Sequence, residues 1–194
     1  MNRFPIIPKI LVITEGHTEK IYLDHLRQRD MGCSLIVKKA SKTDPDSILR
    51  SCTQQIKDLG LNLKCGDRAF IVFDWDKTNC ELIRNVITKA KGKGIGVLFS
   101  KPCFEIVFLA HFVKDVSVPK DQDDVLSMLE KHIQNYSKTE DYWELLLNKQ
   151  NNAKKTLNEF SFDERTDFDA CCNGSNIFLL FETIRTFGIK KNKL

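Results

Sequence analysis

Apolar positions follow two alternating periods along the first hundred residues. Short runs of nearly consecutive apolar residues, rich in Ile, Val and Phe, predict buried β-strands. The segments between them place apolar residues three or four positions apart, which predicts helices. The predicted strands are Lys9–Thr14, Ser34–Lys38, Arg68–Phe73 and Ile95–Phe99. Because repeated strand–helix alternation builds a parallel sheet covered by helices, we expect an α/β fold with a four-stranded parallel sheet.

The helices between these strands carry signals at their ends. The first is predicted over His17–Asp30. The second begins with Asp44 as its cap and Pro45 in its first turn, and Gly60 ends it. The third follows Thr78–Glu81, a segment with the spacing of a capping box.

The pattern changes after residue 100, where helical periods are no longer separated by strands. The chain therefore divides into an α/β core at residues 1–100 and a C-terminal helical subdomain, packed on it, at residues 101–194. The predicted helices are Lys101–Val113, Asp121–Tyr136, Glu140–Phe160 and Ser175–Phe187, with Asn173–Ser175 as a turn, Ser161–Cys172 as a loop, Asp121 and Ser175 as caps and Gly188 as a stop.

Composition and charge narrow the class of protein. Apolar residues make up 42% and charged residues 29%, which excludes disordered and fibrous chains. A net charge of +4 permits a nucleic-acid partner without requiring one. Seven cysteines without a CxxC pair indicate a reducing compartment. The strongly apolar run Phe104–Val113 is too short to span a bilayer, and the N-terminus lacks a signal-peptide cleavage site, so we expect a cytoplasmic protein without a membrane partner.

Acidic residues end two of the predicted strands. Glu15 follows the first strand, and Asp74 and Asp76 follow the third. If the strand order is 2-1-3-4, these two strands are neighbours, and their carboxyl ends form the place where open α/β sheets bind ligands. Each residue taken singly is also a plausible cap of the next helix. Taken together, the three carboxylates repel one another strongly unless a cation completes the arrangement.

Oxygen ligands of this kind suit Mg²⁺ or Mn²⁺. Such a cation polarises a phosphoryl oxygen and activates a water molecule. Glu15, Asp74 and Asp76 are therefore the candidate metal ligands and catalytic residues, and the predicted chemistry is metal-assisted cleavage of phosphodiester bonds.

Two alternatives remain open. The segment FDWDKT resembles the nucleophile motif of haloacid-dehalogenase-like phosphatases, with Asp74 as nucleophile, Asp76 as acid/base and Ser100 as a phosphate-binding residue. No later strand ends in paired aspartates, and this alternative leaves Glu15 unexplained. The other alternative is an adaptor without activity, which binds nucleic acid or a partner and keeps the carboxylates as remnants.

Further candidates lie in the second half. Glu105 occupies the first turn of an apolar helix that begins near the end of the fourth strand, where it either complements the helix dipole or joins the site. A carboxylate-lined notch repels phosphate, so basic residues must hold a polyanion against it. The candidates for substrate binding are Lys101, Lys138, Lys154 and Lys155, although charges of this kind are often only solvated.

Several motifs, in order over roughly residues 9–187, resemble RloB-like proteins. KILVITEGHTEKIY resembles their opening strand with Glu-Gly and Thr-Glu, AFIVFDWDKTN their Asp-x-Asp strand, and SKPCFEIVFLAHF their Asn-Pro-Cys-Phe-Glu helix. YSKTEDYWELL, NNAKK and NGSNIFLLFETI resemble their Tyr-x-Lys, Asn-Ala and Asn-Pro-Ser-Thr segments. The Pro-Cys-Phe-Glu block is the most specific of these.

The resemblance implies a Toprim-like (flavodoxin-like) sheet and a nuclease. It also implies that Glu15 is a catalytic acid/base at the metal site and that Asp74 and Asp76 are Mg²⁺ ligands. A role in bacterial anti-phage defence, often with an ATPase partner of the ABC or AAA type, is implied as well, and self-association stays open.

Three positions depart from the family pattern. Lys101 stands where Asn is usual, Trp75 where Arg is common, and Gly174 where Pro is usual. Trp75 and Lys101 bear on how the site engages substrate. Because all three carboxylates are present, we expect an active site.

Overall fold

The computed structural model describes residues 7–27, 32–75, 79–157 and 173–191. These ranges form an α/β fold around a mostly parallel five-stranded sheet with the order β2-β1-β3-β4-β5. The strands are β1 (Lys9–Thr14), β2 (Ser34–Lys39), β3 (Arg68–Asp74), β4 (Gly96–Lys101) and β5 (Gly174–Ser175). The first four are parallel in the predicted order, and β5 adds an antiparallel edge that the sequence did not predict.

Helices flank the sheet. Within the described ranges they are α1 (His17–Asp24), α2 (Pro45–Asp58), α3 (Cys80–Gly92), α4 (Glu105–Leu109), α5 (Gln122–Glu130), α6 (Trp143–Leu147), α7 (Gln150–Leu157) and α8 (Phe178–Lys191), with a 3₁₀ turn at Leu63–Cys65. None of the helices in the described part of the chain has both the length and the apolar character needed to cross a membrane.

Side chains of the strands alternate between two hydrophobic clusters, one on each face of the sheet. In β1, Ile10 and Val12 pack with α1, α4, α5, α7 and α8, whereas Leu11 and Ile13 pack with α2 and α3. Because successive residues of a strand point to opposite faces, burial on both sides requires the continuous apolar runs seen in the sequence.

Local capping signals determine where several helices begin. The side chain of Asp44 accepts a hydrogen bond from the Ser47 amide at 2.8 Å, and Pro45 occupies the first turn of α2, as predicted. At α3 the cap is Asn79, whose side chain accepts from the Glu81 amide at 2.7 Å. Asp121 caps α5 as predicted.

Helix lengths in the second half differ from the prediction. The predicted helix at residues 101–113 is reduced to α4, because β4 continues to Lys101 and a residue before proline disfavours helix. The predicted helix at residues 140–160 is divided into α6 and α7. The side chain of Asn152 donates to three backbone carbonyls at and beyond the end of α4, which aligns α7 with α4.

The C-terminal turn and cap were predicted wrongly. Ser175 belongs to β5 and pairs with Ser100, so α8 begins only at Phe178. The buried side chain of Asn176 accepts from the Phe99 amide at 2.8 Å and donates to the Val97 carbonyl at 3.1 Å, which satisfies the outer edge of β4. The predicted stop at Gly188 is also wrong, since α8 continues to Lys191.

The predicted loop at residues 161–172 lies outside the described residues. The division into an α/β core and a helical subdomain stays a prediction.

Candidate active site at the carboxyl ends of the strands

The register of β1 and β3 brings two of the predicted carboxylates together. Thr14 pairs with Val72, and the Glu15 amide donates to the Val72 carbonyl at 3.0 Å, so the ladder continues one residue beyond β1. The Asp74 amide in turn donates to Glu15 Oε2 at 3.0 Å. Glu15 and Asp74 are therefore held side by side by backbone geometry. Asp76, the third predicted ligand, lies outside the described residues.

A pocket of about 250 Å³ opens at this edge of the sheet. Its walls come from the start of α1, the end of β3, the start of α4 and the segment before α6. The acidic residues lining it are Glu15, Glu19, Asp74 and Glu105. Glu105 is thus part of the same pocket as the strand-end carboxylates, although about thirty residues separate it from Asp74.

Two carboxylate oxygens in this pocket are buried and make no hydrogen bond with any described residue. They are Asp74 Oδ1 and Glu105 Oε2. Buried acceptors are nearly always satisfied in folded proteins, because an unsatisfied one loses its hydration without compensation. These two atoms therefore mark the pocket as a place where a ligand, a cation or a proton is expected.

The environment of Asp74 disfavours its charged form. Burial raises the pKa of the Asp74 carboxyl well above its ordinary value, and the charges of Glu19, Glu105 and Glu15 raise it further. Lys138 acts in the opposite direction. The pocket thus gathers more acidic groups than one lysine can neutralise, and a divalent cation would favour their ionised forms.

Glu19 is a further acidic residue of the pocket. It is 3% exposed, and its Oε1 accepts from the Gly16 amide at 3.2 Å in a capping arrangement. Burial, together with the charges of Glu15 and Glu105, raises the pKa of Glu19 from 4.5 to about 7. A Cβ on Gly16 would lie 2.6 Å from Glu19 Oε2, so the glycine makes room for this carboxylate.

Glu105 is held by two donors on one oxygen. The Tyr136 hydroxyl donates to Glu105 Oε1 at 3.1 Å, and Lys138 Nζ lies 3.4 Å from the same atom. Burial by itself lowers the pKa of the Lys138 ammonium, but the neighbouring acidic groups, Glu105 first among them, raise it overall. The Thr18 hydroxyl donates to the Lys138 carbonyl at 3.0 Å, which fixes this segment against the start of α1.

The donor chemistry suits a hard cation, but the described residues do not complete a ligand set. Glu15 and Asp74 supply carboxylate oxygens, and Asp74 Oδ1 is unsatisfied. Within the ranges that the structure describes, no three His, Cys, Asp or Glu side chains are placed to hold one metal ion. The predicted set of Glu15, Asp74 and Asp76 therefore stays a prediction.

The other predicted lysines lie in different surroundings. Lys101 Nζ lies over the Trp75 ring, 4.6 Å from its centroid, so two of the three residues that depart from the resembled pattern contact each other. Lys154 forms an ion pair with Glu182 at 3.3 Å and lines a separate pocket formed by α6, α7 and α8. Lys155 is exposed. Of these lysines, only Lys138 lines the acidic pocket.

Two residues of the site were not assigned to it from the sequence, although both lie in motifs that resemble the family. Glu19 is indistinguishable in sequence from the last residue of a capping box, and the signal that could have indicated it is the Thr-Glu pair of the opening motif. Tyr136 is the first residue of the Tyr-x-Lys segment quoted above, but its contact with Glu105 depends on the path of the chain between α5 and α6.

The fold and the pocket together define an α/β protein whose parallel sheet carries a carboxylate-lined cleft at its carboxyl edge. The family model of RloB-like proteins matches residues 10–184, so the chain belongs to this family. Comparison with curated proteins and with solved structures gives no match.

Proposed function

We propose that this protein is a metal-dependent nuclease of Toprim type that hydrolyses phosphodiester bonds of DNA or RNA. The observation that carries the proposal is the pocket in which Glu15, Glu19, Asp74 and Glu105 meet and in which two carboxylate oxygens are buried without a partner. The parallel order β2-β1-β3-β4, with acidic residues after β1 and β3, supports the Toprim-like part of the proposal.

Glu15, Asp74 and Asp76 are the proposed ligands of Mg²⁺ or Mn²⁺. When bound, such a cation polarises a phosphoryl oxygen and activates a water molecule. Glu15 is also the proposed group that moves a proton, since a carboxylate held beside the cation can act as acid or base. Glu105 is the fourth proposed catalytic residue, because it lines the same pocket and its Oε2 is buried without a partner among the described residues.

Binding of the nucleic acid requires positive charge beside the carboxylates. Lys138 supplies it within the pocket, and the proposed substrate contacts of Lys101, Lys154 and Lys155 lie beyond the pocket lining. The helical second half, proposed to be a subdomain, would then act as a clamp on the substrate or as a surface for a partner.

The biological role follows from family membership rather than from geometry. We propose anti-phage defence in the cytoplasm, with an ATPase of the ABC or AAA type as the candidate partner. Self-association is compatible with this role.

Incubation of the purified protein with a panel of single- and double-stranded DNA and RNA, in Mn²⁺, Mg²⁺ or EDTA, tests the activity. We expect cleavage in either metal and none in EDTA. Asp74→Asn and Glu15→Gln should abolish cleavage, because each keeps the shape of the side chain and removes its charge.

Matched controls are Asp46→Asn and Glu144→Gln, which remove the same charges from exposed or partly exposed positions on α2 and α6. Cleavage that persists in Asp74→Asn would remove this pocket from the mechanism. Binding without cleavage in any metal would favour the adaptor. A phosphoryl-enzyme on Asp74 would favour the phosphatase, although Ser100 is buried and donates to Ser175 Oγ at 3.0 Å.

A further inference from the structure

The carboxylate of Glu105 is oriented in an unusual way. The residue is 1% exposed, and the Tyr136 hydroxyl and the Lys138 ammonium both contact Oε1. The Cys103 thiol also hydrogen-bonds the Glu105 side chain. The other oxygen, Oε2, is buried and has no partner among the described residues. If the two donors served only to neutralise the carboxylate, one donor on each oxygen would satisfy more of its hydrogen-bonding capacity than two donors on the same oxygen.

The contacts on Oε1 differ in how strongly they constrain the carboxylate. Lys138 is half exposed and its ammonium lies on a flexible stem, so it supplies charge more than direction. The Tyr136 hydroxyl is fixed by its ring, which stacks on Tyr142 with centroids 5.3 Å apart and meets Phe108 edge-on at 6.1 Å. Tyr136 is therefore the donor that determines which way the carboxylate faces.

We propose that Tyr136 is a positioning residue that holds Oε1 of Glu105, so that Oε2 faces the pocket as the acceptor for a divalent cation or its bound water. This inference rests on the proposed function for the presence of a cation, and it adds a residue that touches neither cation nor substrate. Residues that orient the groups around a metal are worth roughly tenfold to a hundredfold in affinity or rate when they are removed.

The chain offers a matched control for Tyr136→Phe. The Tyr142 ring stacks on the Tyr136 ring. The Tyr142 hydroxyl accepts a hydrogen bond from the Ser137 amide at 2.8 Å and makes none to Glu105. Tyr142→Phe therefore removes a hydroxyl bonded to the same segment without touching the carboxylate.

The primary measurement is Mn²⁺ affinity by titration calorimetry, made on the wild type, both tyrosine variants, Glu105→Gln, and Glu105→Gln combined with Tyr136→Phe. We expect Tyr136→Phe to weaken Mn²⁺ binding about tenfold. Tyr142→Phe should leave the affinity unchanged, and Tyr136→Phe should have no additional effect in the Glu105→Gln background. Melting temperatures in EDTA should be the same for both tyrosine variants.

Three results would overturn the inference. The first is an unchanged Mn²⁺ affinity in Tyr136→Phe. The second is an equal loss of Mn²⁺ affinity in both tyrosine variants, together with a common fall in melting temperature, and the third is a tenfold loss of Mn²⁺ affinity that Tyr136→Phe still causes in the Glu105→Gln background. Wild-type protein that binds no Mn²⁺ would overturn the inference and the metal assignment together.

Cleavage assays on the same variants separate the inference from the proposed function. A Tyr136-dependent Mn²⁺ affinity in a protein that cleaves no nucleic acid would support the inference and contradict the nuclease. Cleavage with unaltered affinity and unaltered kcat in Tyr136→Phe would support the nuclease and contradict the inference.

Discussion

The burial of the Glu19 carboxyl allows a quantitative prediction of how the free energy of unfolding depends on pH. Its pKa is 4.5 in an ordinary environment and about 7 in the folded protein, because burial and the charges of Glu15 and Glu105 oppose ionisation. The folded chain therefore keeps a proton that the unfolded chain loses as pH rises through this range. Stability contributed by the protonated carboxyl is present below about pH 4.5 and is lost as pH rises to about 7.

The size of this loss follows from the two pKa values. A difference of one pKa unit corresponds to 1.36 kcal/mol, so the ionised form of Glu19 disfavours the folded state by about 3 kcal/mol above neutral pH. Glu19→Gln removes the charge and keeps an oxygen that can accept from the Gly16 amide. The variant should therefore become more stable than the wild type as the pH rises.

Urea unfolding in EDTA from about pH 4.5 to about pH 8.5 tests this. The difference in unfolding free energy between Glu19→Gln and the wild type should be near zero at the acid end and should approach about 3 kcal/mol at the alkaline end. Glu144→Gln, the same substitution at an exposed position, is the matched control. A difference for Glu19→Gln that is flat across the whole range would refute the reasoning.

Three further predictions concern the metal, the packing of α7 and the basic surface. Mn²⁺ at a hundred times its dissociation constant should stabilise the protein by about 2.7 kcal/mol, seen as a higher melting temperature, and Asp74→Asn should remove that shift. Asn152→Asp should lower the free energy of unfolding in urea by about 3 kcal/mol, because a carboxylate would replace the amide that donates to three backbone carbonyls. An unchanged free energy of unfolding would show that these hydrogen bonds do not stabilise the fold. The double variant Lys154→Glu, Lys155→Glu should weaken nucleic-acid binding and flatten its salt dependence, while the Mn²⁺ affinity stays as in the wild type. Unchanged nucleic-acid binding at every salt concentration would show that these two lysines are only solvated surface charges.

Much of the sheet could be predicted from local pattern. The strands β1 to β4 are continuous apolar runs because both of their faces are buried, and that requirement is visible residue by residue. The cap at Asp44 is likewise local, since the side chain bonds an amide three residues away. The proximity of Glu15 and Asp74 followed from one topological step, the neighbouring placement of strands one and three.

Tertiary contacts determined the elements of the second half that the local sequence pattern did not predict. Ser175 looks like a helix cap in sequence, and it becomes part of β5 because the edge of β4 offers unpaired backbone groups to it and to Asn176. The helix predicted over residues 140–160 is divided into α6 and α7, and Asn152 of α7 bonds carbonyls that lie about forty residues earlier.

The same distinction applies to the candidate site. The sequence by itself determined which carboxylates end the strands, because strand ends are a local property. Three other features depend on segments that are distant in the chain: the burial of Glu19, the unpartnered Oε2 of Glu105, and the hydrogen bond from Tyr136 to that carboxylate. Only the tertiary structure decided these features, because desolvation and hydrogen bonding at a buried group depend on every element packed around it.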